Sequence, residues 1–247
     1  MTNKLWTYPR ILVDSDLHAE ALIDLSAPHV HYFKTVLRRS DGDYIRLFNT
    51  RDGEWLGELC DLSKKSGAVR LLKQTRSQDE GRCKTSLFFA PIKKARMEFL
   101  LEKTVELGVT DFHPIITART EKRVLKRERI EAQIVEAAEQ CERLTVPIFH
   151  DEMSLRDLVK FKGVSQIYAC IERDDERDAA PFLSDVKGDN FSFLVGPEGG
   201  FTDEEIAVLS ECQHVKAISL GDRIYRAETA SILCLSHAAL LRDAVKV

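Results

Sequence analysis

The chain has 247 residues, 44% of them hydrophobic and 31% charged, with a formal net charge of −4. This is the ordinary composition of a soluble globular protein, long enough for one large domain or two smaller ones. No apolar run approaches the roughly 20 residues of a membrane-spanning helix, and the N-terminus lacks the charged and apolar regions of a signal peptide.

The first 75 or so residues read as mostly β. Asp41-Gly42-Asp43 precedes Tyr44 to Phe48, and Arg51-Asp52-Gly53 precedes Glu54 to Leu59. Both runs alternate apolar with polar residues, as half-buried antiparallel strands do. Ser26 to Arg38 has helical apolar spacing instead. The pattern predicts a small β-barrel with one helix packed on it, residues 1–75, followed by a polar linker over 76–84 that opens from about Gln74.

From residue 85 the rhythm changes to strand–helix alternation, the signature of an α/β domain. Leu87 to Ala90 is a buried strand; Ala95 to Leu107 is a helix with Met97, Leu100, Leu101, Thr104 and Val105 on one face, stopped at Gly108. Strands follow at Phe112–Ile116, Val146–Phe149 and Ile167–Ile171, with a helix over Arg127–Arg143, a short one opened by Ser154, and an acidic loop at Asp174–Asp178. Phe191–Val195 and Val215–Leu220 are the last two strands, Thr202 and Glu205 have capping-box spacing, and Thr229–Leu241 is the closing helix.

Charge is uneven along the chain. Residues 93–130 hold ten Lys or Arg against six acids, whereas 131–247 hold twelve against twenty-two. A protein acidic overall but basic in one segment remains able to hold phosphates, so composition permits a nucleic-acid partner without requiring one. The six cysteines (Cys60, Cys83, Cys141, Cys170, Cys212, Cys234) are spread singly. Without a C-x-x-C pair they argue against a zinc site or a disulfide framework and for a reducing cytoplasm; most are expected to be buried small hydrophobes.

Two segments carry the chemistry: Leu194-Val195-Gly196-Pro197-Glu198-Gly199-Gly200-Phe201 and Leu220-Gly221-Asp222-Arg223-Ile224-Tyr225-Arg226-Ala227-Glu228-Thr229-Ala230. Each leaves a strand and enters a helix, so each places irregular backbone at a carboxyl sheet edge, where open α/β sheets bind ligands. Glycine lets main-chain groups approach a small molecule closely. The first loop lacks the lysine and hydroxyl of a P-loop, and neither has G-x-G-x-x-G, which speaks against nucleotide-phosphate and dinucleotide sites.

These loops closely resemble the ribosomal RNA small subunit methyltransferase E family, which methylates N3 of a uridine in 16S rRNA. Tyr8-Pro9-Arg10, His31-Tyr32, Val36-Leu37-Arg38 and Gly42-Asp43 are similar to that family's PUA-like barrel. Thr104 to Val109 and Glu136 to Arg143 match two further signatures, so the resemblance spans essentially the whole chain. Tyr225 departs from the pattern, standing where the family usually has leucine. The resemblance implies a SPOUT-type, trefoil-knotted α/β methyltransferase domain over 85–247, a homodimer, S-adenosylmethionine (AdoMet) as cofactor and no metal. It implies cofactor contacts at Leu194, Gly196, Pro197, Gly199, Gly200, Leu220, Gly221, Ile224 and Tyr225.

Methyl transfer to uracil N3 requires that nitrogen to be deprotonated, by a base or beside a cation that stabilises the anion. On this resemblance Arg226 is assigned to the uracil anion or a flanking phosphate, and Glu198 to the base or orienting carboxylate. Glu228 is equally a helix N-terminal acid. Candidate RNA contacts are Arg10, Arg38 and Arg39 on the barrel, Arg119, Lys122 and Arg123 in the basic segment, and Gln140 with Arg143, read as one helix face with Glu136. Two readings stay open beside this one: a non-catalytic RNA-binding or ribosome-assembly factor, and a methyltransferase acting on another RNA atom.

Overall fold

The structure, a computed structural model, describes residues 5–78, 83–121, 124–171 and 181–244. It divides into two compact units, one of Met1–Gly81 with Ala138–Val146 and the other of Arg82–Ala137 with Pro147–Val247.

The first unit contains β1 (Arg10–Leu12), β2 (Leu22–Asp24), β3 (Tyr44–Asn49), β4 (Gly53–Cys60) and β5 (Ala68–Arg76), ordered β1-β3-β4-β5-β2. Only β1 and β3 run parallel; the other pairs are antiparallel. Register shifts at Glu54/Trp55 and Leu56/Gly57 break the β4–β5 ladder. Such bulges increase local twist and curl a sheet around its contents. Ile11, Ile23, Val30, Phe33, Ile45, Leu47, Val69 and Leu71 fill the core. The expected helix is present as α1 (Ala27–His31), capped by Ser26, and continues as a π-helical turn over Tyr32–Val36. β5 extends to Arg76, so the start of the polar stretch expected as linker is strand.

The second unit is built on a parallel sheet of β6 (Thr85–Phe89), β7 (Asp111–Ile116), β8 (Ile148–Phe149), β10 (Ile167–Cys170), β11 (Phe191–Val195) and β12 (Val215–Ile218). Its order is β12-β10-β11-β6-β7-β8, with the short β9 (Met153–Ser154) also pairing with β7. Every residue of β6 and of β11 is buried, as expected of parallel strands covered on both faces. Phe88, Ile115, Leu158, Ile167, Ala169, Leu194 and Leu209 form one core cluster.

The helices are α2 (Lys94–Glu106), α3 (Arg127–Gln140), α4 (Leu155–Leu158), α5 (Asp203–Ser210) and α6 (Ala227–Ala244). The five α2 residues read as one face are all buried. Ser154 and Thr202 each complete a capping box, with Asp157 and Glu205. No helix among the described residues is long and apolar enough to cross a membrane.

Candidate active site

Strand order brings the two glycine loops together. β11 and β12 both run parallel to β10, one on each side. Their carboxyl ends therefore open on one edge, with the end of β10 between them. Residues 196–201 and 224–227 line a single cavity of about 500 Å³, floored by Cys170 and Ile171. The next carboxyl ends along the sheet, those of β6 and β7, lead to Arg96 and Arg119, which complete the wall.

The first loop is held by its own residues. Gly200 N–H donates to the Pro197 carbonyl at 2.8 Å. A side chain on Gly196 would bring a Cβ within 2.9 Å of the Phe201 ring, and one on Gly199 would meet Arg119 Cδ at 3.3 Å. Of the residues assigned to the cofactor, Gly196, Pro197, Gly199, Gly200, Ile224 and Tyr225 line the cavity. Leu194 does not. It is fully buried in the hydrophobic core, one residue before the strand's end, and Val195 reaches the cavity in its place. Leu220 and Gly221 also lie outside the lining; the second loop reaches the cavity only from Ile224 onward.

Arg226 lines the cavity on the approach to α6, where its carbonyl accepts from Ala230 N–H at 2.8 Å. Its guanidinium is exposed and makes no ion pair among the described residues. Glu198 also lines the cavity, but its carboxylate is bonded to Arg96. Arg96 Nε lies 3.7 Å from Glu228 Oε1, while the buried Glu228 Oε2 has no hydrogen-bond partner among the described residues. One guanidinium on α2 is thus shared by two carboxylates, one from the first glycine loop and one from the first turn of α6. In the sequence Arg96 stands out only as one of the basic residues of 93–130. Its place at the site depends on β6 lying beside β11, which no local pattern reveals.

The expected RNA contacts divide. Arg10 is a correction: it is 7% exposed, bonded to Glu54 at 2.7 Å, and stacked 3.4 Å above the Phe48 ring. Glu54, itself 1% exposed, also faces Arg46 at 3.5 Å. Burial pulls the Arg10 pKa below its ordinary value against the opposing pull of Glu54. A guanidinium held this way does not meet a phosphate. Arg143 is the second correction. α3 ends at Gln140, and Glu142 turns the chain at φ 58°, so Gln140 and Arg143 share no helix face. Arg143 reaches Thr145 Oγ1 at 3.2 Å, while Gln140 and Arg38 are exposed. Arg39 is half-buried with an unpartnered Nε. Arg119 donates from Nη1 to the carbonyls of Gly199 and Phe201. Lys122, Arg123 and the acidic loop 174–178 lie outside the described residues.

Only Cys170 and Cys234 are buried; the other four cysteines are half-exposed, fewer buried than their apolar contexts suggested. Asp111, His113 and His150 present metal-ligand atoms within 4.8 Å of one another. The two imidazoles stack at 4.1 Å with planes 6° apart, so no point lies in both ring planes, where their lone pairs are directed. The group is better described as a cross-strand stack. Phe88 pairs with His113 between β6 and β7, and His150 follows β8 in the adjoining register, its Nε2 2.8 Å from Asp111 Oδ1.

The chain also has recognisable relatives. Residues 79–239 match a family model described as an RNA methyltransferase domain, and residues 25–72 match one described as an RNA methyltransferase PUA domain. A ribosomal RNA small subunit methyltransferase E from Rickettsia conorii is 36% identical, over 95% of this chain and 96% of its own. One from Synechocystis is 30% identical, over 95% of this chain and 78% of its own. The crystal structure of a ribosomal RNA small subunit methyltransferase E from Neisseria gonorrhoeae, bound to S-adenosyl methionine, superposes with a TM-score of 0.84. The two are 29% identical over 95% of this chain and 98% of that one.

Proposed function

The chain belongs to the ribosomal RNA small subunit methyltransferase E family, and from that premise we propose that it methylates N3 of one uridine in 16S rRNA, using AdoMet. The observation that carries this reading is the convergence of both glycine loops on one cavity that also presents an arginine with no ion pair among the described residues. The cavity suits AdoMet in size, lying within the few-hundred-Å³ range of small-molecule sites. It suits it in character too. Ile171, Val195 and Phe201 offer apolar walls, and the glycine loops offer close main-chain donors and acceptors.

AdoMet, when bound, supplies an electrophilic methyl group on a sulfonium. The protein's share is to place uracil N3 in line with that methyl and to favour the deprotonated ring. Arg226 is suited to favouring the deprotonated ring, because a fixed positive charge facing a partly enclosed space lowers the free energy of an adjacent anion. Glu198 is suited to placing the uracil, because a carboxylate tied to Arg96 is a well-oriented acceptor. Charge is lost as the methyl moves from the sulfonium to the uracil anion. Extra carboxylates facing the sulfonium would therefore stabilise reactants over the transition state.

The same reading takes the N-terminal unit as a PUA-like RNA-binding domain with a boundary in the 76–84 stretch, and the C-terminal segment as threaded through the trefoil knot. It takes the enzyme as cytoplasmic, acting on rRNA in the small ribosomal subunit. Phe99 on α2 and Leu240 on α6 are exposed on helices that pack together, apolar surface that supports a homodimer. Mass spectrometry of 16S rRNA from cells lacking the protein tests the function. One 3-methyluridine should disappear and return with the wild-type gene but not with Arg226→Ala. An intact 3-methyluridine alongside loss of a different methylated nucleoside would move the target to another atom.

A further inference from the structure

Residues 117–121 leave the end of β7 in a turn closed by Thr117 and Thr120, whose hydroxyls lie 2.9 Å apart. This turn is fastened to the first glycine loop at two places. Arg119 Nη1 donates to the Gly199 carbonyl at 2.7 Å and to the Phe201 carbonyl at 3.0 Å. Ala118 N–H donates to Glu205 Oε1 at 2.7 Å, and Glu205 Oε2 accepts from Thr202 N–H at 3.0 Å.

The consequence follows from peptide planarity. The 199–200 peptide is held by Arg119 at its carbonyl and by the Pro197 carbonyl at its N–H. The 201–202 peptide is held by Arg119 at its carbonyl and by Glu205 at its N–H. Two of the peptide planes that shape the cavity wall are thus pinned at both ends, and one guanidinium supplies a pin to each. The Arg119 stem lies against the space a side chain on residue 199 would enter, 3.3 Å from its Cβ position, so a side chain there presses on the arginine.

We propose that Arg119 is a positioning residue that fixes the first glycine loop in its cofactor-receiving shape, and that it is not a phosphate contact. The proposal rests on the reading of that loop as part of the AdoMet site. Charge-assisted hydrogen bonds to two carbonyls from one nitrogen of a planar, pre-organised guanidinium are not readily reproduced by lysine, which carries a point charge on a flexible stem.

The test pairs calorimetry of AdoMet binding with the salt dependence of RNA binding, for wild type, Arg119→Ala and Arg119→Lys. Bracing predicts AdoMet affinity weakened about tenfold in both variants, with the KM for AdoMet raised more than kcat is lowered. The slope of log K against log salt for RNA should stay at its wild-type value. Gly199→Ala should weaken AdoMet binding similarly and add little in the Arg119→Ala background, because both changes release the same contact. Unchanged AdoMet affinity in both Arg119 variants overturns the proposal. A slope reduced by about 0.7–0.9 in Arg119→Ala and restored in Arg119→Lys, with AdoMet affinity intact, makes Arg119 a phosphate contact instead. Arg119 is exposed, and unaltered thermal unfolding is expected to show that the fold persists. Failure of wild type itself to bind AdoMet would overturn the reading of the site, whereas tight binding by wild type and variants alike would remove the bracing role alone.

Discussion

The two units treat buried ionisable groups in opposite ways. In the first, Arg10, Arg46 and Glu54 are all nearly inaccessible, and each meets opposite charge: Glu54 lies between the two arginines, and Arg46 reaches Glu142 at 2.7 Å. In the second, His113 is buried between Phe88 and His150 and is held neutral, its pKa pushed down to about 4 by burial and by the His150 charge. Arg226, exposed at the cavity, makes no ion pair among the described residues. Residue type alone does not separate structural from functional arginines. Burial and place do more: Arg10 and Arg46 are enclosed with a carboxylate, whereas Arg226 faces the cavity and meets no counter-charge among the described residues, which is why it is the arginine we propose for an anionic substrate.

This contrast is open to measurement. Glu54→Ala leaves two buried guanidinium groups facing each other and should cost about 3–5 kcal/mol of unfolding free energy. Denaturant titration would show it, and a loss under about 1 kcal/mol would mean the cluster is solvated. Arg226→Ala should lower kcat/KM about 100-fold, ~2.7 kcal/mol of transition-state stabilisation, with unfolding free energy unchanged. A stability loss as large as that in Glu54→Ala would erase the distinction between the two arginine sets.

For His113 the unfolded chain binds a proton below about pH 6.5 that the folded protein refuses until about pH 4. The contribution of this group should therefore be flat above pH 6.5, fall by about 3 kcal/mol towards pH 4, and lose little more below that. Asp111 adds a further loss at more acidic pH. Burial works against ionisation there, but the bonds from His150 and Thr110 prevail and hold its pKa below the ordinary carboxylate value. In His113→Phe the decline between pH 6.5 and 4 should vanish. The smallest expected effect is for Arg38→Gln on the exposed surface of the first unit. It should leave stability intact and reduce the salt slope of RNA binding by about 0.7–0.9 if Arg38 meets one phosphate.

Local signals in the sequence were sufficient where a single element decides the outcome. β11 falls on the run Phe191–Val195, and the capping boxes at Ser154 and Thr202 form as their spacing implied. Most of the residues that were missed or misplaced depend on partners distant in the chain. Cys170 and Ile171 floor the cavity because β10 lies between β11 and β12, an order no periodicity encodes. Arg10 had the look of a surface cation because Glu54 and Phe48 lie some forty residues away. The end of α3 carried no stop signal, since Glu142 adopts its left-handed conformation without a glycine.

That end of α3 has a consequence for how the protein comes apart. Arg10 donates to the carbonyls of Ala138 and Arg143, Leu12 N–H to Glu139, Arg46 to the Glu142 carboxylate, and Arg76 to the Glu142 carbonyl. A fragment cut at residue 81 strips those partners from a buried cluster and exposes it as unmet hydrogen-bonding demand. The N-terminal unit is therefore no interchangeable cassette. Grafting it onto another protein, or exchanging it between relatives, requires carrying a second, non-contiguous piece of chain along with it.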